Sequence, residues 1–434
     1  MEYALLLSAP LIGILVGLIP TMGVTMTLIL LYPLLLLFDP IILIVFYAIL
    51  TNARDFSGSV SAINLGLLGE TTSIPALRER PIIIKAKKQI SALKNTMLGS
   101  LFGMGVGLFI LVICVVASTH FPLLLRTDVL GLFVLTTILF LVFWTENNRT
   151  TNIILIILGF VLGKVGWDYQ NQTSFMTFGN VYLYGGIPML PFLLGFYAIP
   201  KMFELMKMKR PETTPLQETQ LEKFNYASAL RGSFLGAFCG LIPFIGNSIS
   251  SNLGHMIEQR LYKLNNIRHS LARLTSAETA NNAAQVTLLI PLLIIGIALQ
   301  PSELVLLDMI ESKAWTVTGE INWKQNLFVI FGLPIGCLIS ALLCYNFVKT
   351  LLQFFSRHIR TILAVLLLII LGDIYWIGHN AQQAGYYFAV LSFFTLAGFA
   401  LQRYKVDAVP CLLVFLLSDT LIEVMSRITV LYFG

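Results

Sequence analysis

Residues 232–257 read GSFLGAFCGLIPFIGNSISSNLGHMI, an uncharged stretch set between Arg231 and Arg260. A bilayer-spanning helix takes roughly 20 apolar residues, so this stretch suffices for one crossing but not for two joined by a turn. Short loops rich in Lys and Arg stay on the cytoplasmic side. With basic residues at both ends, the stretch should enter and leave by the same face. Pro243 and Gly246 near its middle would break a helix. The sequence therefore predicts two half-length helices in a re-entrant hairpin. Backbone broken at membrane depth is tolerated only where it is buried in protein or lines a cavity.

The rest of the chain agrees with a membrane setting. Of 434 residues, 57% are hydrophobic and 12% charged, against about 25% charged in soluble domains. Mean hydropathy is +0.83. Uncharged runs recur at 3–38, 95–125, 169–200, 279–302, 325–348 and 374–402. They are continuously apolar rather than alternating, which predicts helices and excludes a barrel. The expected fold is an all-α polytopic membrane protein with about 10–12 transmembrane helices, some re-entrant or broken. No basic region precedes the first apolar stretch, so a first membrane segment is expected there rather than a cleaved signal. The five cysteines lie in apolar runs without a CxxC pair, as packed thiols. The histidines show no metal spacing.

Basic residues cluster at Arg78–Lys94, Lys201–Arg210 and Arg260–Arg273, and more weakly at Lys349–Arg360 and Arg403–Lys405. Read as cytoplasmic loops, they place four crossings between the first two clusters, at 96–117, 129–143, 152–163 and 181–200. The loop 164–180 is then outside. This distribution accounts for the net charge of +6 without a nucleic-acid partner.

The GLIP element of the opening stretch occurs twice. Residues 17–23 read GLIPTMG and residues 240–246 read GLIPFIG, five matches in seven at a separation of 223. Hydroxyl residues follow each: Thr25 and Thr27, then Ser248, Ser250 and Ser251. Each half also offers a polar island with an acid, Gly69-Glu70-Thr71-Thr72-Ser73 and Ala277-Glu278-Thr279-Ala280-Asn281-Asn282. The basic cluster follows the first island and precedes the second, which is the order that an inverted-topology repeat requires. The expected organisation is a first half over 1–206, a cytoplasmic linker over 207–227 and a second half over 228–434. Interrupted hydrophobic segments at matching places in two halves point to a transporter binding site.

The stretches GLIPTMGVTMT, FDPIILIVFYAI, DFSGSVSAINLGLLGETTSIPAL, LRGSFLGAFCGLIPFIGNSIS and AETANNAAQVTLLIPLLIIGI resemble the large membrane subunit of tripartite tricarboxylate transporters. The resemblance covers about residues 11–110 and 228–312 and is most specific at SGS, GETTS and ETANNA. It implies two inverted repeats with a site between them, and ion-coupled, elevator-like uptake of a small organic anion through the inner membrane. It also implies a small membrane subunit and a periplasmic binding protein as partners; lipid surrounds the chain, and a homodimer is left open. Thr21 and Phe244 stand where the family usually has Gly, Leu68 where it has Pro, and Gly296-Ile297-Ala298-Leu299 in place of Gly-Ile-Pro-Gly. Arg54 and Asp55 add charges where the family is usually neutral.

The candidate substrate-binding residues are Ser57, Gly58, Ser59, Asn64, Thr71, Thr72, Ser73, Asn247, Ser248, Ser250, Thr279, Asn281 and Asn282. The charged candidates are Glu70, Glu278 and Arg54. An ionisable group at membrane depth costs roughly 3 kcal/mol and needs a partner or a purpose. Broken-helix N-termini favour carboxylates, and exposed carbonyls suit Na⁺; H⁺ is the other coupling ion considered. Bland readings stand beside these: small polar residues also glue helices together, Glu70 also caps a broken helix, and Arg54 also pairs with Asp55. No GxSxG, HExxH or Walker element occurs, so no enzyme and no ATP hydrolysis is expected. Besides the anion carrier, two further functions fit these features. One is a translocase for a lipid-linked head group. The other is a membrane enzyme acting on lipid, with Glu70 or Glu278 as general base.

Overall fold

The computed structural model describes residues 2–18, 23–66, 71–118, 142, 147–168, 173–207, 221–242, 246–264, 266–296, 298–313, 323–377, 381–412, 414–416, 418 and 422. These are almost entirely helical. The first half opens with α1 (Glu2–Leu18), α2 (Val24–Leu35) and α3 (Pro40–Leu65). A 3₁₀ turn at Thr71–Ser73 leads into α4 (Ile74–Lys85), then α5 (Gln89–Ser118) and α6 (Arg149–Gly163) follow. A short antiparallel pair, β1 (Gly166–Asp168) and β2 (Thr173–Phe175), precedes α7 (Met189–Leu193) and α8 (Ile199–Lys207), which a π turn joins.

The part of the chain after the linker follows. It runs α9 (Tyr226–Cys239), α10 (Gly246–Leu261), α11 (Ile267–Thr287), α12 (Leu289–Ile295) and α13 (Pro301–Glu311). The long α14 (Trp323–Ile377) and α15 (Ala381–Arg403) complete it.

Local chemistry explains the boundaries. Pro40 opens α3 at its first turn, where a missing N–H costs nothing. Asn225 and Asn266 cap α9 and α11 through their side chains. Gln300 and Glu303 form a capping box at the start of α13. Helix α3 ends at Gly66 and α12 at Gly296, with φ of 67° and 68°, a left-handed conformation that glycine adopts without strain.

The stretch 232–257 contains a helix break, as expected. Helices α9 and α10 pack on each other across it, although they reach outward to Tyr226 and Leu261. The first GLIP element starts on the last two residues of α1, Gly17 and Leu18, and the second starts in the turn that follows α9, at Gly240–Ile242. Their prolines, Pro20 and Pro243, lie outside the described residues.

Three expectations about basic loops need correction, the third being Arg260–Arg273, which spans the end of α10 and the start of α11. The segment Lys349–Arg360 is helical within α14, because neither Gly nor Pro occurs between Gly336 and Gly372. The first cluster is likewise not a loop. It occupies α4, a turn and the start of α5. Helix α4 has 12 residues with Arg78, Glu79, Arg80 and Lys85 among them, too short and too charged to cross a bilayer.

Among the described residues, α3, α5 and α15 are long and apolar enough to cross a membrane, and α1, α2, α6 and two stretches of α14 are shorter apolar helices. Large apolar side chains stand outward on α5 (Phe109, Ile113, Val116), α6 (Ile153, Ile154, Ile157) and α15 (Phe393, Leu396). Water-facing surfaces of monomers rarely expose so many large apolar side chains together. Lipid gives helices no hydrophobic reason to associate, so close approach of small residues replaces it. Any side chain at Gly13 or Gly17 of α1 would overlap α3, and any at Gly236 or Gly240 of α9 would overlap α11. These two pairs of glycines are again separated by 223 positions.

The halves interlock reciprocally. Helix α4 and its 3₁₀ turn pack on α10 and α11, and α13 packs on α2 and α3. Tyr32 of α2 donates its hydroxyl to Asp308 of α13. His255 of α10 bonds Glu79 of α4 at 2.7 Å. Tyr32 and His255 stand 223 positions apart.

Candidate functional site

Helices α3 and α11 touch within the core of the interlocked halves, each along a polar tract. On α3 the tract holds Thr51, Asn52, Arg54, Asp55, Ser57, Ser59, Ser61 and Asn64, every one buried. On α11 it holds Arg273, Thr275, Ser276, Glu278, Thr279, Asn281, Asn282 and Gln285, also buried. So many polar groups away from water must find partners or leave their hydrogen-bonding capacity unmet.

At the contact, Ser59 donates its hydroxyl to Glu278. Asn281, one turn beyond Glu278, faces the Asp55 carboxylate. The two carboxylates are close enough for Asp55 to act on Glu278. Asp55 also accepts from its neighbour Arg54 at 2.6 Å, which settles where that guanidinium points. The arrangement is nearly two-fold: each acid meets a polar residue about one turn past the other acid. Asp55 and Glu278 are themselves 223 positions apart.

Helix α5 closes one side. Ser100 accepts from Asn282 at 3.0 Å, and Asn95 accepts from Thr275 at 3.2 Å. Beside the Asn282–Ser100 bond lies a small pocket with room for about one water molecule, part of it open to the surroundings. It is lined by Asn52, Ser100, Asn282 and Ser340 together with Phe56, Leu101, Met104, Cys337 and Ala341. Several buried polar atoms here make no hydrogen bond: Asn52 Oδ1, Asp55 Oδ2, Glu278 Oε2 and Asn281 Oδ1. Orphaned oxygens clustered in a core are unusual in a finished fold and mark a place where a ligand, water or proton completes the bonding.

The other islands border this crossing. A Cβ added at Gly58 would stand 3.1 Å from Ser73 Oγ, so the 3₁₀ turn lies directly over α3. Ser251 donates to Thr72 O at 2.7 Å, tying that turn to α10. Asn247 donates to Gln285 of α11. The sequence-predicted stretches are thus neighbours, but not all their side chains face the crossing. Ser57 bonds Arg54 O at 3.0 Å and Gly13 O at 3.4 Å, toward α1. Thr279 bonds Ser276 O, Ser250 bonds Asn247 O and Asn64 bonds Val60 O, each within its own helix. Thr71 lies in the 3₁₀ turn and Ser248 in α10. Glu70 lies outside the described residues.

The sequence pairs Glu70 with Glu278 as matched acids. The helix positions match Glu278 with Asp55 instead, since both sit in mid-helix at the crossing. Asp55 was legible only as a partner for Arg54. Asn95 and Ser100 gave no signal, because isolated small polar residues in an apolar helix do not announce which face is buried. Among the described residues no group of three His, Cys, Asp or Glu side chains could hold a metal ion.

Next to the crossing, α4 meets α10 and α11 through ions. Arg273 donates to Glu79 through Nε at 2.7 Å and Nη2 at 2.8 Å, and His255 Nε2 lies 2.7 Å from the same carboxylate. Arg273 also reaches the carbonyls of Tyr262 and Leu264. Burial works to raise the Glu79 carboxyl, but the bonds from His255 and Arg273 and the charge of Arg273 outweigh it and hold it at about 2.

A helical membrane protein whose interlocked halves bury one polar crossing beside a small pocket has the build of a solute-handling protein. The chain belongs to the tripartite tricarboxylate transporter TctA family, whose model matches residues 4–413. It is therefore related to a component of a transporter, and the tripartite family implies partner subunits with a binding protein. An uncharacterized 52.8 kDa protein in the TAR-I ttuC' 3' region of Agrobacterium vitis is 25% identical over 98% of this chain and 86% of its own length. No solved structure matches the chain.

Proposed function

We propose that this chain is the carrier subunit of a tripartite system that moves a small organic anion of the carboxylate class across the cytoplasmic membrane. In this reading it crosses the membrane several times and works with a small membrane subunit and a periplasmic binding protein. Residues 1–206 and 228–434 are inverted repeats joined by the linker 207–227, and the α9–α10 pair is a re-entrant hairpin. The reciprocal seating of α4 on α10 and α13 on α2, with the recurring separation of 223, supports the repeat. The single observation that carries the function is the family match over residues 4–413, with the buried polar tracts of α3 and α11 crossing beside the Asn282 pocket as the place for the site. The unpartnered oxygens there are acceptors, suited to a proton or a cation rather than to the anion itself. Neutral amides and hydroxyls there receive the anion, with the Arg54–Asp55 pair nearby. Glu278 couples transport to an ion, and one half slides against the other in an elevator-like step.

Uptake of labelled di- and tricarboxylates into proteoliposomes tests this, with the binding protein supplied. Ser59→Ala and Asn281→Ala should each reduce uptake at least tenfold, with unfolding midpoints near wild type. Normal uptake in both variants would remove the crossing as the site.

A further inference from the structure

Residues 165–187, between α6 and α7, hold one charged side chain, Asp168. Their described parts are tied together by aromatic contacts. β1 pairs with β2, and Trp167 of β1 meets Tyr184 edge-on at a centroid distance of 5.9 Å. Tyr184 lies in a 3₁₀ turn, Val181–Gly185, which Asn180 caps through its side chain. Tyr182 of that turn stacks on Tyr386 of α15 at 5.3 Å and donates its hydroxyl to Gln382 at 3.3 Å.

Between β2 and the 3₁₀ turn the backbone takes a path that its residues resist. Met176 and Phe178 have φ of 51° and 48°, a left-handed conformation that bulky side chains rarely adopt. Thr177 between them is buried, whereas Met176 is 47% and Phe178 87% exposed. Phe175 and Val181 are exposed beside them. Strain of this kind gathers at functional places, yet Phe178 gains little packing from its own chain in return.

The position of the cluster identifies what covers it. Helix α15 is long and apolar enough to cross a bilayer, and Tyr386 sits in its second turn. By the helical rise per residue, the outward Phe393 and Leu396 follow roughly 10–15 Å further along. That is comparable to half of a hydrocarbon core about 30 Å thick. Helix α6, with its outward isoleucines, ends at Gly163 just before β1. The cluster is therefore continuous with the lipid-facing belts of α6 and α15 and stands at their edge. Trp and Tyr concentrate at that depth, where an apolar ring and a polar tip are both accommodated. So little charge also leaves no electrostatic handle to steer a soluble partner.

We infer that β2 and the 3₁₀ turn form an interfacial anchor, with Phe175, Met176, Phe178 and Val181 inserted among lipid headgroups and the first acyl carbons at one face of the bilayer. Buried Thr177 directs its two left-handed neighbours outward, and burial of their side chains in lipid offsets the strain. The Tyr182–Tyr386 stack fixes the anchor to α15. The inference rests on the membrane setting of the chain and not on its cargo.

The test uses the full chain with its five cysteines replaced by Ala or Ser. A single cysteine is then placed by Phe178→Cys or, as a control at an exposed position, by Lys263→Cys. Each protein is labelled with the fluorophore NBD and reconstituted into nanodiscs of phosphatidylethanolamine and phosphatidylglycerol. Emission at 178 should be blue-shifted from that at 263. Lipids with a nitroxide near the headgroup should quench it several-fold more strongly than lipids with one at the end of the acyl chain. A label at 178 that is as solvated as that at 263 and untouched by either lipid overturns the inference. So does a label shielded only when a purified binding protein is added, which would make the patch a protein interface. If the cysteine-free chain does not fold, Phe178→Trp in the native chain decides. Brominated lipid should quench more of its tryptophan emission than in wild type, and equal quenching overturns the inference.

Discussion

Replacing Glu79 by Ala strips the acceptor from three bonds between the halves, two from Arg273 and one from His255. Arg273 is 2% exposed and would retain only the carbonyls of Tyr262 at 3.1 Å and Leu264 at 3.4 Å. Removing one partner of a buried pair costs about 3–5 kcal/mol, because the other charge stays buried. A second route gives a similar figure. The Glu79 carboxyl is held at about 2 against 4.5 in the unfolded chain, which is worth about 3 kcal/mol at neutral pH. The folded value lies below the unfolded one, so this stability is complete above pH 4.5 and drains away as pH falls toward 2. The assay is reversible unfolding in mixed micelles of Glu79→Ala, Arg273→Met and the double variant. The double variant should cost less than the sum of the singles, since it leaves no lone charge. A Glu79→Ala cost below about 1 kcal/mol, the range of exposed pairs, would mean that this ion pair does not hold α4 to α11. So would additive costs.

Three further outcomes follow from the same geometry. Glu278→Gln keeps an acceptor for Ser59 but cannot ionise, so uptake should lose its pH or cation dependence, read from initial rates across pH in NaCl and choline chloride. Tyr32→Phe takes the hydroxyl from Asp308 and should cost about 1–3 kcal/mol in micelle unfolding, whereas no loss would mean that the α2–α13 contact is incidental. Gly236→Leu drives a side chain into the α11 backbone near Ala280 and should cost about 1–3 kcal/mol or more. It should appear as lost monodisperse protein in size-exclusion chromatography, and wild-type yield and stability would contradict the packing.

Much of the architecture is readable from residues alone. The GLIP pair marks both helix breaks after α1 and α9, because Pro and Gly act locally. Ser59, Glu278, Asn281 and Asn282 stand out because polar residues in apolar runs are costly. What the sequence hides is pairing across distance. Arg273 reads as one more basic loop residue, yet it is buried on an acid 194 positions away. Asp55 reads as the partner of Arg54, and only the helix positions show that it stands opposite Glu278. The helical path through Lys349–Arg360 is hidden for a different reason: its charge suggests a loop although no residue there breaks a helix.

In the proposed carrier the anion sits at the crossing of α3 and α11. The most direct test is a high-resolution structure of the chain with a tricarboxylate bound. Ligand density is expected within hydrogen-bonding distance of Ser59, Asn281 or Asn282, next to Glu278 and the Asn52–Ser100 pocket. A carboxylate bound elsewhere, with the polar atoms of this crossing unchanged and untouched, would contradict it.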